Sequence, residues 1–343
     1  MGVDRALAYY EYRRSLIDAM MEFVVRRVGH ACAVVLTAAT LGFAVLRLAP
    51  GDGVNSETSQ VGRTADARAR VRTARGLDQS VVVQYSRFIG NAARGDLGRS
   101  QSDGQLVTTA LSYALRNSFV LSGCGLLAAI TLGLCVGVAQ GWRPEWRMAR
   151  VIGTGLTALY AMPEFVLAIV VIGVLAYAAP IFPIGGIADP IVRLTGNSLD
   201  QVFDTLHHLV LPVLTLALGW GAAVARQERV ALQEISREEF VRTARAKGVR
   251  PRTLLLRHAV RPSLPAVATI FGMMLPSLVG GAVVVEVVFA WPGMGTLLLH
   301  AVAQRDAPIV AGAIIVIATM VSASSLTLEL LLRVIDPRLR DAT

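Results

Sequence analysis

The chain has 343 residues, 54% hydrophobic and only 17% charged, with a mean hydropathy of +0.56. Soluble domains carry about a quarter charged residues and disordered chains have low hydrophobicity, so the composition argues against a soluble single-domain enzyme and against disorder. The net charge of +9 invites a nucleic-acid reading, but the arginines lie between long apolar blocks, and no nucleic-acid partner is expected.

A spanning helix needs about 20 apolar residues. Residues 1–21 form an N-terminal cytoplasmic extension, either an amphipathic helix on the membrane surface or an over-extended start. The first transmembrane helix is placed at 22–48, around the charge-free run 28–46. Arg26 and Arg27 precede it and no small-x-small cleavage site is evident before Arg47, the pattern of an uncleaved signal anchor. Residues 49–114 are expected to form an extracytoplasmic segment, with turns around Arg94-Gly95-Asp96. A five-helix core is expected over 115–335, from the runs 117–142, 151–188, 205–225, 262–285 and 307–328. Glu164 is the single charge in the long third run, which Pro180 and Pro183 should end. Residues 336–343 are a tail. The predicted class is all-α integral membrane protein with six transmembrane helices.

Arginine placement sets the orientation. Ten basic residues fall in 226–261 and three in 143–150, against one in each of the loops 180–204 and 290–306. The positive-inside rule then puts both termini in the cytoplasm. Cys32, Cys124 and Cys135 sit in apolar runs without metal-ligand spacing and are read as packing residues. His207, His208 and His258 are read as capping or interfacial. Lys247 is the only lysine, and it is not followed by Ser or Thr, so the nucleotide-binding Gly-Lys-Ser/Thr pattern is absent.

The cytoplasmic loop 227–262 carries the strongest functional signal. Ser236 and Glu239 have capping-box spacing, a helix is expected through Lys247, and Gly248 suits a left-handed C-terminal cap. A second short helix is expected from Thr253 to about Val260. Phe240 and Ala244, one turn apart, suggest an apolar ridge that docks into a groove on another protein.

This loop resembles the "EAA" coupling loop of ABC-importer permeases, binding-protein-dependent inner-membrane components. Arg242-Thr243-Ala244 stands where the generic Glu-Ala-Ala lies, and Gly248 matches the motif glycine. Thr243 to Gly248 is similar to the variant of the dipeptide/oligopeptide/nickel subfamily. Leu48-Ala49-Pro50-Gly51-Asp52, Trp291-Pro292-Gly293-Met294-Gly295, Asp306-Ala307-Pro308 and Asp336-Pro337-Arg338 agree with it in order. The resemblance implies a MetI-like, type I importer fold in a prokaryotic inner membrane. It implies a second permease chain, an extracytoplasmic binding protein, and two ATPase subunits that bind ATP and Mg. This chain would hold no cofactor, metal or catalytic residue of its own. Glu239, Phe240, Arg242, Thr243, Ala244, Lys247 and Gly248 would form the ATPase-docking surface. Peptides are the expected solute; nickel or a metal chelate is the alternative.

Glu164, Glu286, Trp291, Pro292 and Gly293 are candidates for the translocation path or its gate. Glu164 is read as facing a wet cavity beside a kink at Pro163, against a proton or cation site of a secondary transporter. Glu286 is expected near the outer end of the fifth span, where a carboxylate reaches water. Trp291 is placed for the membrane interface. The gate reading competes with a solvated helix end and a lipid anchor.

Overall fold

The computed structural model describes residues 3–48, 79–280 and 282–335. They are helical almost throughout, as a lipid setting requires: no water is there to pair with backbone groups, and a helix satisfies them internally. Helix α1 runs Val3–Leu48 unbroken, so the extension, from Val3 on, continues into the first span. Residues 49–78, much of the expected extracytoplasmic segment, and the tail 336–343 lie outside the described residues. Helix α2 (Val81–Ala93) returns against α1. There Tyr85 meets Phe43 edge-on at 5.3 Å and its hydroxyl lies 2.8 Å from Thr40 Oγ1. Gly95 and Gly98 take positive φ, and Gly98 N–H donates to Asp96 Oδ1, the expected turn.

The core follows as α3 (Val107–Trp142), α4 (Arg147–Tyr160), α5 (Glu164–Ile172, extended by a π-helical Gly173–Ala178), α6 (Pro190–Thr195) and α7 (Ser198–Ser236). Then come α8 (Glu239–Ala246), α9 (Arg261–Met274), α10 (Ser277–Gly280), α11 (Val283–Val288), α12 (Met294–Ala303) and α13 (Ala307–Ile335). Helix α3 begins before the expected boundary at 115, carrying Arg116 exposed on its surface.

The six expected spans are not six single helices. Among the described residues, four are long and apolar enough to cross alone: Val24–Val45 within α1, α3, α7 and Ala307–Glu329 within α13. The third run is the pair α4 and α5, bent by 116° at residues 161–163. Pro163 has no N–H for the ladder and disfavours helix at the residue before it. The fifth run breaks into α9, α10 and α11 around Pro276 and the following glycines. The helix expected at Thr253 is not separate either. Pro251–Thr253 and a π-helical Leu254–Val260 lead straight into α9.

The bundle is organised by α3 on α7. A Cβ added at Gly125 would meet Leu216, at Gly133 Val224 and Gly221 O, at Gly137 Glu228 and Ala225 O, and at Gly141 Leu232. With Ala129, fully buried, these residues recur every four positions and form one stripe of the helix. Small residues let helices approach closely where lipid offers no hydrophobic drive between them. Because both numberings rise together, α3 and α7 run parallel, and α4 with α5 must make the return pass between them. Helix α1 packs antiparallel on α13, through Gly42 against Ala311 and the pair Arg27–Glu329.

At the end of the bundle where α3 starts, two buried carboxylates fasten loops. Glu286, 2% exposed, accepts from Ser118 Oγ at 2.5 Å, Gly295 N at 2.7 Å and Thr296 N at 3.3 Å. Ser118 Oγ also accepts from Met294 N at 2.7 Å. Trp291, 1% exposed, donates Nε1–H to Asn117 O at 3.0 Å, and Asn117 Nδ2 donates to Pro292 O at 2.9 Å. Asp306, fully buried, caps α13 and accepts from Ser100 Oγ, Ser102 Oγ and the Gln101 and Ser102 amides.

Two consequences are measurable. Gly133→Ala places a methyl 2.5 Å from Val224 Cβ and 2.7 Å from Gly221 O, an overpacking worth about 1–3 kcal/mol; thermal melting of the purified complex should show a lowered midpoint. Glu286→Gln turns an NH2 group toward one set of its present donors, leaving buried polar atoms mismatched at about 1–3 kcal/mol. Its yield and melting temperature should fall, whereas wild-type values for both mean the carboxylate is not what holds the turn.

Candidate functional site

The candidate residues fall into two groups at opposite ends of α3 and α7, with Glu164 between them. At the far end of α7 the chain turns into α8. Ser236 does not cap this helix. It ends α7, donating to Leu232 O at 2.6 Å, and Glu238 occupies the N-cap without a side-chain bond. The capping box is absent because α7 continues helically as far as Ser236, leaving only Arg237 and Glu238 for the turn.

Helix α8 has two faces. Val241, fully buried, and Ala244, 8% exposed, pack with Leu254, Trp142, Ile235 and Val249. This corrects the expected ridge: Ala244 points into the protein's own core, while Phe240 points away, 47% exposed. Glu239, Arg242, Thr243 and Lys247 are exposed with it. The inward pair is Val241 and Ala244, three apart; the outward stripe is Phe240, Thr243 and Lys247. Arg245 lies over the Trp142 ring at 6.0 Å, an edge-of-range cation–π contact. Gly248 has φ +74 and an open surrounding, so it is the left-handed cap expected, and its requirement is conformational rather than spatial.

Glu228 carried no signal in the sequence, because it sits among arginines just past an apolar run and reads as a solvated residue. It is fully buried on α7, between Gly137 of α3 and Ser263 of α9. Ser263 Oγ donates to Glu228 Oε1 at 2.7 Å, and among the described residues Oε2 has no partner. The bond ties α7, which enters the loop carrying α8, to α9, which follows it. A period-of-four reading of Gly133, Gly137 and Gly141 was the available clue to a close helix contact at that level.

Glu164 opens α5 directly after the break, half-buried, and Trp220 Nε1–H donates to its Oε1 at 3.4 Å. The kink expected at Pro163 is therefore present, with the carboxylate beside it. Glu286 and Trp291 are brought together with Pro292 and Gly293, but not at water or lipid: both large side chains are buried, so the solvated-end and lipid-anchor readings fail. A Cβ at Gly293 would collide with the Glu286 carboxyl group, so the glycine makes room for it. Sequence spacing missed this because Asn117 and Ser118, which complete the cluster, are some 170 residues away. His208 Nδ1 lies 3.2 Å from Asp204 and His207 Nε2 is 3.0 Å from Ile181 O. Among the described residues no three His, Cys, Asp or Glu side chains are grouped to hold a metal ion.

Similarity to known proteins agrees with this arrangement. The family model for the binding-protein-dependent transport system inner membrane component matches residues 129–341, and the model for its N-terminal part matches 20–122. The oligopeptide transport system permease protein AppB of Bacillus subtilis is 32% identical over 321 residues, covering 93% of this chain and 99% of that protein. The di/tripeptide transport system permease protein DppB of Pseudomonas aeruginosa is 31% identical over 333 residues, covering 94% and 99%. A structure of the inward-facing MetNI methionine ABC transporter shares the fold, with a TM-score of 0.51 at 16% identity over 66% of this chain and 96% of that one. The secondary-transporter alternative falls with these matches. The chain belongs to the binding-protein-dependent transport system inner membrane components, as a transport subunit rather than an enzyme.

Proposed function

We propose that this chain is one permease half of an ATP-driven peptide importer, paired with a second, similar permease. An extracytoplasmic binding protein delivers the solute, and two ATPase subunits, which hold ATP and Mg, dock on α8. The observation that carries the reading is α8 itself: a short helix anchored by Val241 and Ala244 that presents Phe240, Thr243 and Lys247 outward. A helix so anchored moves as a body with α7 and α9, which a force-transmitting contact requires. The arginine distribution supports cytoplasmic termini and a cytoplasmic α8. Relatives named as oligopeptide and di/tripeptide permeases favour peptides over nickel. Glu164, beside the break in the third span, is assigned to the translocation path. The Glu286–Trp291–Pro292–Gly293 cluster is assigned to holding the extracytoplasmic turn that borders it, in place of a water-exposed gate.

Replacing Gly248 by valine forces a β-branched residue into positive φ, a strain of about 1–3 kcal/mol. Less ATPase should co-purify with the complex and peptide uptake should drop; unchanged values for both would remove α8 from the docking role. Glu228→Leu keeps a buried side chain of similar bulk but breaks the link to Ser263, whereas Glu228→Gln retains an acceptor. Peptide transported per ATP hydrolysed should fall severalfold, by about the worth of one buried hydrogen bond, in the leucine variant and recover in the glutamine variant. Equal coupling in all three proteins would show that the link transmits nothing.

A further inference from the structure

A cavity of about 570 Å³ runs along one flank of α4, within the range of roughly 300–1,000 Å³ typical of small-molecule sites. It extends from Pro144 to Ala161. Its α4 wall, from Ala149 to Ala161, is about 18 Å long at ~1.5 Å per residue. One end therefore opens beside the coupling-loop end of the bundle, and the other reaches the break that precedes Glu164.

The lining is largely apolar, and its charge is of one sign. Arg150 and Arg229 supply the charge, and no acidic side chain lines the cavity. Among the described residues neither arginine is in an ion pair; Arg150 Nη2 donates to the Pro144 carbonyl at 3.2 Å. Thr154, Thr157 and Gln233 add hydrogen-bonding groups. Gln140 forms part of the floor, held by its Nε2–H bond to Ala149 O at 2.9 Å, in space that any side chain at Gly153 would occupy. Ala158 and Ala161 keep the remaining wall low. The exposed aliphatic side chains of α4, Met148, Val151 and Ile152, lie on its other flank, as 100° per residue dictates. An acyl chain would follow that second flank. The arginine-lined one suits a water-borne anion with a small polar body.

We propose that this groove is a low-affinity exit site for the transported peptide, in which Arg150 and Arg229 engage its C-terminal carboxylate. This rests on the peptide reading above. Every linear peptide with a free C-terminus carries that group whatever its side chains, so two arginines recognise the class without selecting a sequence. Small lining residues leave room for variable side chains. Both guanidinium groups are exposed to solvent, and exposed charge pairs are weak; a site that must release its solute toward the cytoplasm needs that weakness.

The test uses the assembled complex, purified through this chain in phosphatidylcholine nanodiscs. Cys32, Cys124 and Cys135 are replaced by alanine and a single cysteine is introduced as Thr157→Cys, with Thr154→Cys as the second site should the first not assemble. The rate of labelling by an uncharged water-soluble thiol reagent is followed with about 10 mM trialanine, a concentration suited to millimolar affinity, with its C-terminal amide, or with inorganic phosphate. Trialanine should slow labelling at least about threefold, the occupancy expected at that concentration for a Kd of about 5 mM or tighter. The amide and phosphate should not, and Arg150→Gln with Arg229→Gln should abolish the protection. Equal protection by the amide or by phosphate overturns the assignment. So does protection that appears only with anionic lipid in the disc, which would mark a headgroup site, or a cysteine that never labels, which would mean the second permease covers the groove. ATP-driven trialanine uptake by the unsubstituted complex, with its binding protein, is measured alongside. Uptake without protection removes the exit site alone, whereas failure of uptake removes the peptide reading.

Discussion

The parallel contact of α3 and α7 is the constraint from which the remaining architecture follows. Gly125, Ala129, Gly133, Gly137 and Gly141 leave no side chain to hold the helices apart, so Leu216, Val224, Glu228 and Leu232 sit directly on the α3 backbone. Two parallel helices joined in sequence need one return pass. That pass is the bent pair α4 and α5, whose break leaves backbone groups without ladder partners. The Ala161 and Met162 amides still bond to Thr157 O and Leu159 O, so the break costs few backbone partners. The same contact sets Trp142 and Ser236 at one end, where α8 is built. Asn117 and Ser118 lie toward the other end, where the α11–α12 turn is fastened.

Among the described residues, three carboxylates are buried completely or nearly so: Glu228, Glu286 and Asp306. Burying such groups is costly unless hydrogen bonds replace water. Glu286 and Asp306 stand where a loop meets the bundle, and there the freed amides and hydroxyls supply the donors. Glu286 takes two amides of the α12 start; Asp306 takes two amides and two hydroxyls of the residue 100–102 turn. Glu228 differs in having a single donor, Ser263, and an unpaired second oxygen. It also differs in joining two long helices rather than securing a turn. That makes it the least satisfied of the three, and it lies at the base of the segment proposed to dock on the ATPase.

Helix α8 reconciles two demands that pull a short helix in opposite directions. An isolated eight-residue helix is marginal in water, yet the docking role proposed for α8 requires it to be exposed. Val241 and Ala244 supply the stabilisation from within, by packing with Leu254, Trp142 and Ile235, and the outward stripe of Phe240, Thr243 and Lys247 is then free to face outward. Gly248 turns the chain immediately, so that Pro251 and the π-helical turn carry it back into the bundle.

Much was legible in the residues alone, because a bilayer imposes length and charge rules that act locally. Apolar runs of span length, arginines concentrated between particular runs, the absence of a nucleotide-binding lysine pattern, the Gly248 cap and the break at Pro163 all follow from neighbours in sequence. The direction in which each side chain faces did not. Phe240 and Ala244 share a helical period, but only the position of α3, α7 and the Leu254–Val260 turn made one exposed and the other buried. Glu286 and Trp291 read as an outer helix end because their partners, Asn117 and Ser118, belong to another helix. Glu228 read as one more charge in a basic stretch until Gly137 and Ser263 enclosed it. Periodicity states that two residues lie on one stripe of a helix; which stripe meets protein, lipid or water is decided by long-range packing, and no local rule contains it.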